Sequence, residues 1–211
     1  MQLAIVVYPR FTALDMAGPH EVLGRLPDTE TVFVAPQAGP VTNDFGSMTL
    51  AAMSLDEVPS PDIVLVPGGP GQREQMGDGP LHEWLREVDR TSKWTTSVCT
   101  GSLILAASGL LDNRRATTHW MLVPELERFD VTVVPERVVI DGKYVTAAGV
   151  SAGIDMALRL AALVAGDEYA QMLQLGIEYA PEPPYAGTPE TAPAAIVGSL
   201  ADRFGEIFKG R

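Results

Sequence analysis

Cysteine is nearly absent: Cys99 is the only one in 211 residues. That excludes an internal disulfide framework and any metal site built from several thiolates. Histidine is almost as scarce. His20, His82 and His119 lie far apart without metal-ligand spacing, so no metal is expected. Long apolar runs are also missing. Ala161 to Ala165 is broken by Gly166-Asp167, well short of the ~18 residues of a membrane span. Leu3 to Val7 is too short for a signal core, lacks a basic flank and ends in Tyr8-Pro9. A cytoplasmic protein is therefore expected. Basic charge is in deficit, with 15 Lys and Arg against 27 Asp and Glu, a net charge of −12. Such a surface repels phosphates, so neither nucleic acid nor an anionic membrane is an expected partner. There is no P-loop lysine and no G-x-G-x-x-G loop in a dinucleotide-binding context.

What is present is an apolar share of 46%, ample for a sizeable core. The length suits one α/β domain over 1–211. Gln2 to Tyr8, Glu30 to Ala35, Asp62 to Val66 and Thr95 to Val98 read as strands, the first and third as continuous apolar runs typical of a buried parallel sheet. Val41 to Leu50 suggests a hairpin, and Leu55 to Val58 a helical turn. Thr12 is placed to cap a helix in a box with Asp15, and Pro19 should kink or restart that helix. Helices are expected over Pro80 to Asp89 and Thr100 to Ala107, with Thr118 to Leu126 helical or turn-like. Val131 to Val134, Arg137 to Ile140 and Lys143 to Ala147 read as further strands. Ser151 is placed to cap a helix to Val164, and Asp167 begins another to about Tyr179. A proline-rich loop spans 180–193, and a last helix spans Ala194 to Lys209. The alternation predicts a doubly wound parallel sheet, with ligands beyond the carboxyl ends of its strands.

Cys99 sits where a strand meets a helix, in Ser97-Val98-Cys99-Thr100-Gly101-Ser102. Unpaired amides and the helix dipole favour negative charge there, so the thiol should ionise more easily than a free one. Two readings stand: a nucleophilic thiolate, or a buried cysteine acting as a small hydrophobe. Asp15 is either a first-turn helix acid or a proton-holding partner of Cys99, because two adjacent anions do not both ionise easily. In Pro67-Gly68-Gly69-Pro70-Gly71, the N–H groups of Gly69 and Gly71 are free to stabilise an anion, or the glycines simply make a tight turn. Thr100 reaches a ligand on Cys99 or caps its helix. His119, beside Trp120, orients the thiol or is structural. His20 and His82 read as structural, the latter in a surface helix.

Five motifs carry a resemblance: Asp15-Met16-Ala17-Gly18-Pro19, Val66-Pro67-Gly68-Gly69, Ser97 to Ser102, Ala116-Thr117-Thr118-His119-Trp120 and Gly149 to Asp155. In this order they resemble the ThiJ/PfpI superfamily over about residues 1–180. The resemblance implies a flavodoxin-like three-layer sandwich, a cysteine on a strained nucleophile elbow, and a homodimer. Asp15, Cys99-Thr100 and Glu178 to Pro184 are most similar to the isonitrile hydratase branch. That implies water addition to a neutral isocyanide without a cofactor. Cys99 would be the nucleophile, Asp15 the proton donor and Thr100 a positioning group. Gly69, Gly71, Gly101, His119 and Trp120 would line the oxyanion or substrate site, with Tyr179 and Tyr185 as further walls. Thr100 replaces the histidine that follows the cysteine in protease-like members. Asp15 stands where glyoxal-detoxifying and oxidation-sensing branches carry glutamate. A sensor, a glyoxalase-like protein and a ligand-binding domain related to regulators remain the alternatives.

Overall fold

The computed structural model describes residues 1–208. The chain runs β1 (Gln2–Val6), α1 (Ala13–Leu23), β2 (Glu30–Ala35), β3 (Gly39–Thr42), β4 (Thr49–Ser54), β5 (Ile63–Val66), α2 (Pro80–Asp89), β6 (Trp94–Val98) and α3 (Gly101–Ala107). It continues through β7 (Arg114–Ala116), α4 (Val123–Leu126), β8 (Val131–Val133), β9 (Val138–Asp141), β10 (Tyr144–Ala147), α5 (Ala152–Ala165), α6 (Asp167–Gly176) and α7 (Ala194–Phe208). Short 3-10 turns cover Leu55–Glu57, Pro70–Gln75 and Trp120–Leu122.

Eight strands form one sheet in the order β3-β4-β2-β1-β5-β6-β10-β9. The six inner strands run parallel, and β3 and β9 close the edges antiparallel. Leu3 to Tyr8 are wholly buried, which is why β1 carries apolar residues on both faces. The strand order reverses between β1 and β5. Such a switch point opens a crevice at the carboxyl ends of the strands, and the turns after β1, β5 and β6 all reach that edge. Helices α1 and α5 pack together on one side of the sheet, α2 and α3 on the other. The fold is thus the expected α/β sandwich with a mostly parallel central sheet.

Several local expectations are corrected. Thr12 makes no side-chain cap; its hydroxyl donates to Asp44, and the Asp15 carboxylate turns inward. Helix α1 does not restart at Pro19 but continues through it to Leu23. The proline ring packs where Gly153 of α5 has no side chain, and Gly18 leaves matching room for Ile154. Ser151 precedes α5 without a side-chain cap, its hydroxyl accepting instead from Arg137. Helix α6 ends at Gly176, short of Tyr179, with Glu178 at positive φ. His82 is buried rather than on a surface, its Nε2 2.8 Å from the carbonyl of Gln75. Strand β7 was not anticipated, being only three residues paired with β8. Lys209, at the end of the expected last helix, lies outside the described residues. Among the described residues, no helix is long and apolar enough to cross a membrane.

Candidate active site

Cys99 follows β6 with φ at 57°, a left-handed conformation that a side chain adopts at a cost of about 1–2 kcal/mol. Four hydrogen bonds hold it. The Cys99 N–H donates to the carbonyls of Ala147 and Ala148. Its carbonyl accepts from the hydroxyls of Thr118 at 3.0 Å and Ser102 at 3.1 Å. The result is a sharp strand-to-helix elbow that lifts the thiol to the sheet edge while leaving the residue only 5% exposed. Gly101 completes the elbow. A β-carbon there would lie 2.0 Å from the Val66 carbonyl, so α3 starts too close to β5 for any side chain. The absence of a side chain at Gly101 is thus a packing requirement.

Asp15 enters from α1, fully buried. Its Oδ2 accepts from the Gly68 N–H at 2.9 Å, while Oδ1 has no conventional hydrogen-bond partner. Burial pushes its pKa from 3.8 up to about 7, against the opposing pull of Gly68 N–H and the Cys99 thiol beside it. The thiol moves the same way. Burial first, then the negative charge of Asp15, drive it well above its ordinary value, and the N–H groups of Thr100 and Val150 offset only part of this. The expectation of an easily ionised thiol is thus corrected. The amides are present, but desolvation and the neighbouring carboxylate outweigh them.

The glycine turn also works differently from the expectation. Gly68 donates to Asp15, Gly69 donates to Thr100 Oγ1 at 3.0 Å, and Gly71 donates to the Arg10 carbonyl at 3.3 Å. Gly69 and Gly71 are therefore not free oxyanion donors. The turn instead orients the two side chains that flank the thiol. A β-carbon on Gly68 would meet Thr100 N at 2.5 Å, Thr100 Oγ1 at 2.6 Å and Asp15 Oδ2 at 2.9 Å, which defines how tightly the three segments converge. Tyr8 ties the ends of β1 and β5 together, its hydroxyl donating to Pro67 at 2.8 Å.

His119 does not hydrogen-bond the thiol. Its Nδ1 accepts from Met121 N–H, its ring stacks between Trp120 and Phe204 of α7, and its edge lies against Gly149. Burial lowers its pKa, so the ring stays neutral near neutral pH. Trp120 is half-buried beside it. Tyr179 instead donates to Asp155 at 3.2 Å, and Tyr185 is 84% exposed, so the latter is no wall of this site. Gly68 and Val150 are the contributors that the sequence reading missed. Val150 lies in the quoted Gly149 to Asp155 motif, but its φ of 24°, rare for a β-branched residue, is visible only in the fold. Among the described residues, no group of three His, Cys, Asp or Glu side chains is arranged to hold a metal.

Comparison with known proteins agrees with this architecture. Residues 1–163 match the model of the DJ-1/PfpI family. The chain is 39% identical to isonitrile hydratase of Pseudomonas putida over 212 aligned residues, all of this chain and 93% of that protein. It is 34% identical to the HTH-type transcriptional regulator CdhR of Pseudomonas aeruginosa over 63% of this chain and 40% of the regulator. A ThiJ/PfpI family protein from Pseudomonas syringae superposes with a TM-score of 0.93 at 35% identity, over 99% of this chain and 87% of its own. Drosophila melanogaster DJ-1beta shares the fold at a TM-score of 0.77 and 23% identity, over 85% of this chain and 98% of its own. With a strained cysteine at the elbow of a switch-point sheet and a family match over most of its length, the chain belongs to the DJ-1/PfpI family.

Proposed function

We propose that the protein is an isonitrile hydratase, adding water to R–N≡C to give R–NH–CHO. One observation carries the reading: a fully buried carboxyl of pKa about 7 beside a thiol at a strained elbow. The full-length similarity to an isonitrile hydratase supports it. Asp15 and Cys99 together hold at most one negative charge near neutral pH, because each raises the other's cost of ionisation. As the substrate docks, the thiol proton moves to Asp15 and sulfur attacks the terminal isonitrile carbon. The Thr100 and Val150 N–H groups stabilise the sulfur anion. Asp15 then returns its proton to the same carbon, leaving Cys99–S–CH=N–R. Water adds to that carbon, aided by the Thr100 hydroxyl. Thr100 Oγ1 already accepts from Gly69, so its own proton is available to donate. Collapse of the adduct protonates nitrogen, breaks the C–S bond and restores the thiol.

The bound group R would rest against Trp120 and the His119–Phe204 stack. The assay is formamide release from an aryl isonitrile, with intact-mass detection of the sulfur adduct. Turnover should vanish in Cys99→Ala and fall steeply in Asp15→Asn. Persistent turnover in Cys99→Ala would refute covalent catalysis. We also propose a homodimer, since Leu163, Met172 and Leu175 on α5 and α6 are exposed. Light scattering should give twice the chain mass, and a monomer at micromolar concentration would refute it.

A further inference from the structure

A second opening lies on the α2 and α3 side of the sheet, between the Pro70–Gln75 turn, α3 and α4. It is a cleft of about 410 Å³. Leu103, one helical turn beyond Cys99, and Phe129 contribute apolar lining. Its polar lining is rich in donors. Gln72 is only 2% exposed, and among the described residues its side-chain amide makes no hydrogen bond. Its polar atoms are not sealed in the core but face the cleft, where a ligand can reach them. Arg73, next along the same turn, lines the cleft and forms no ion pair among the described residues. The cleft's one acid, Glu125, is already engaged by Arg128 at 2.9 Å. Two cations against one anion leave a positive surplus beside apolar walls, in a chain that is otherwise strongly acidic.

We propose that this cleft is a binding site, distinct from the Cys99 site, for a small monocarboxylate with an apolar tail. The carboxylate would accept from the Gln72 amide and the Arg73 guanidinium, whose planar donors suit it. The tail would lie along Leu103 and Phe129. The inference does not depend on the reaction proposed for Cys99.

The test is a titration of the full chain with hexanoate, followed by amide NMR, with hexanamide as the neutral control. Saturable shifts centred on Gln72, Arg73, Leu103 and Phe129 are expected, with a Kd of about a millimolar or tighter. Binding should weaken about tenfold or more for hexanamide, and likewise in Arg73→Gln and in Gln72→Leu. Arg73 is exposed, so the first variant leaves the core intact. Cys99→Ala should bind hexanoate as the parent does. Shifts centred on Cys99 and Gly149, an equal response to hexanamide, or no saturable response would each overturn the proposal.

Discussion

The Asp15 carboxylate accepts the Gly68 N–H at 2.9 Å across 53 residues of sequence, and this bond joins α1 to the turn after β5 beside the thiol. It supplies the carboxyl with one donor only, which is too few to offset complete burial. The proton affinity that results governs the pH behaviour of the molecule.

Stability should fall as pH rises. The Asp15 pKa is raised above its unfolded value, so the folded state binds more protons between pH 3.8 and about 7. The stabilisation from this group is complete below the lower value and lost as pH passes the upper one, amounting to up to ~4 kcal/mol. Urea unfolding from pH 4 to 8 measures it. Asp15→Asn should flatten that part of the profile and gain stability relative to the parent at pH 8.

Activity should respond to pH in the opposite direction. The pair reacts once it has lost one proton, so kcat/KM for isonitrile hydration should rise through an apparent pKa near 7 and then level off. In Asp15→Asn the rate should drop by about 10²–10⁴, as loss of a general acid–base group does. A flat parent profile from pH 5 to 9 would remove Asp15 from the mechanism.

Gly101→Ala should act on folding before chemistry. The added methyl meets the carbonyl of Val66, which is strand backbone and cannot yield. A loss of about 1–3 kcal/mol or more is expected from overpacking, measurable as a lower denaturation midpoint. A direct ligand-binding role for Gly101 would instead leave stability unchanged and raise KM.

Strain at the elbow is separable from the thiol chemistry. Cys99→Gly and Cys99→Ala both abolish the nucleophile, but only glycine relaxes at φ 57°. Calorimetry should find Cys99→Gly more stable than Cys99→Ala by about 1 kcal/mol. Equal stabilities would mean that the conformation carries no cost.

Much of the architecture was legible from residue order. The helix expected over about Pro80 to Asp89 is α2, with Pro80 in its first turn and an apolar face of helical period. The apolar runs of β1 and β5 likewise announced a sheet covered on both sides. Pro19 does not restart α1, and its ring packs against Gly153 of another helix, a contact that residue order does not show. Gly69 and Gly71 were free donors only until Thr100 and Arg10 were brought to them by the fold.

By itself, the sequence determined the strands, most helices, and a lone cysteine at a strand-to-helix join, since periodicity and turn chemistry act over a few neighbouring residues. Only the tertiary structure decided that Asp15, Gly68, Thr100 and Val150 surround that cysteine, and that its thiol resists ionisation. Burial and charge coupling depend on distances through space, and residues 15, 68 and 150 approach residue 99 only after the sheet has assembled.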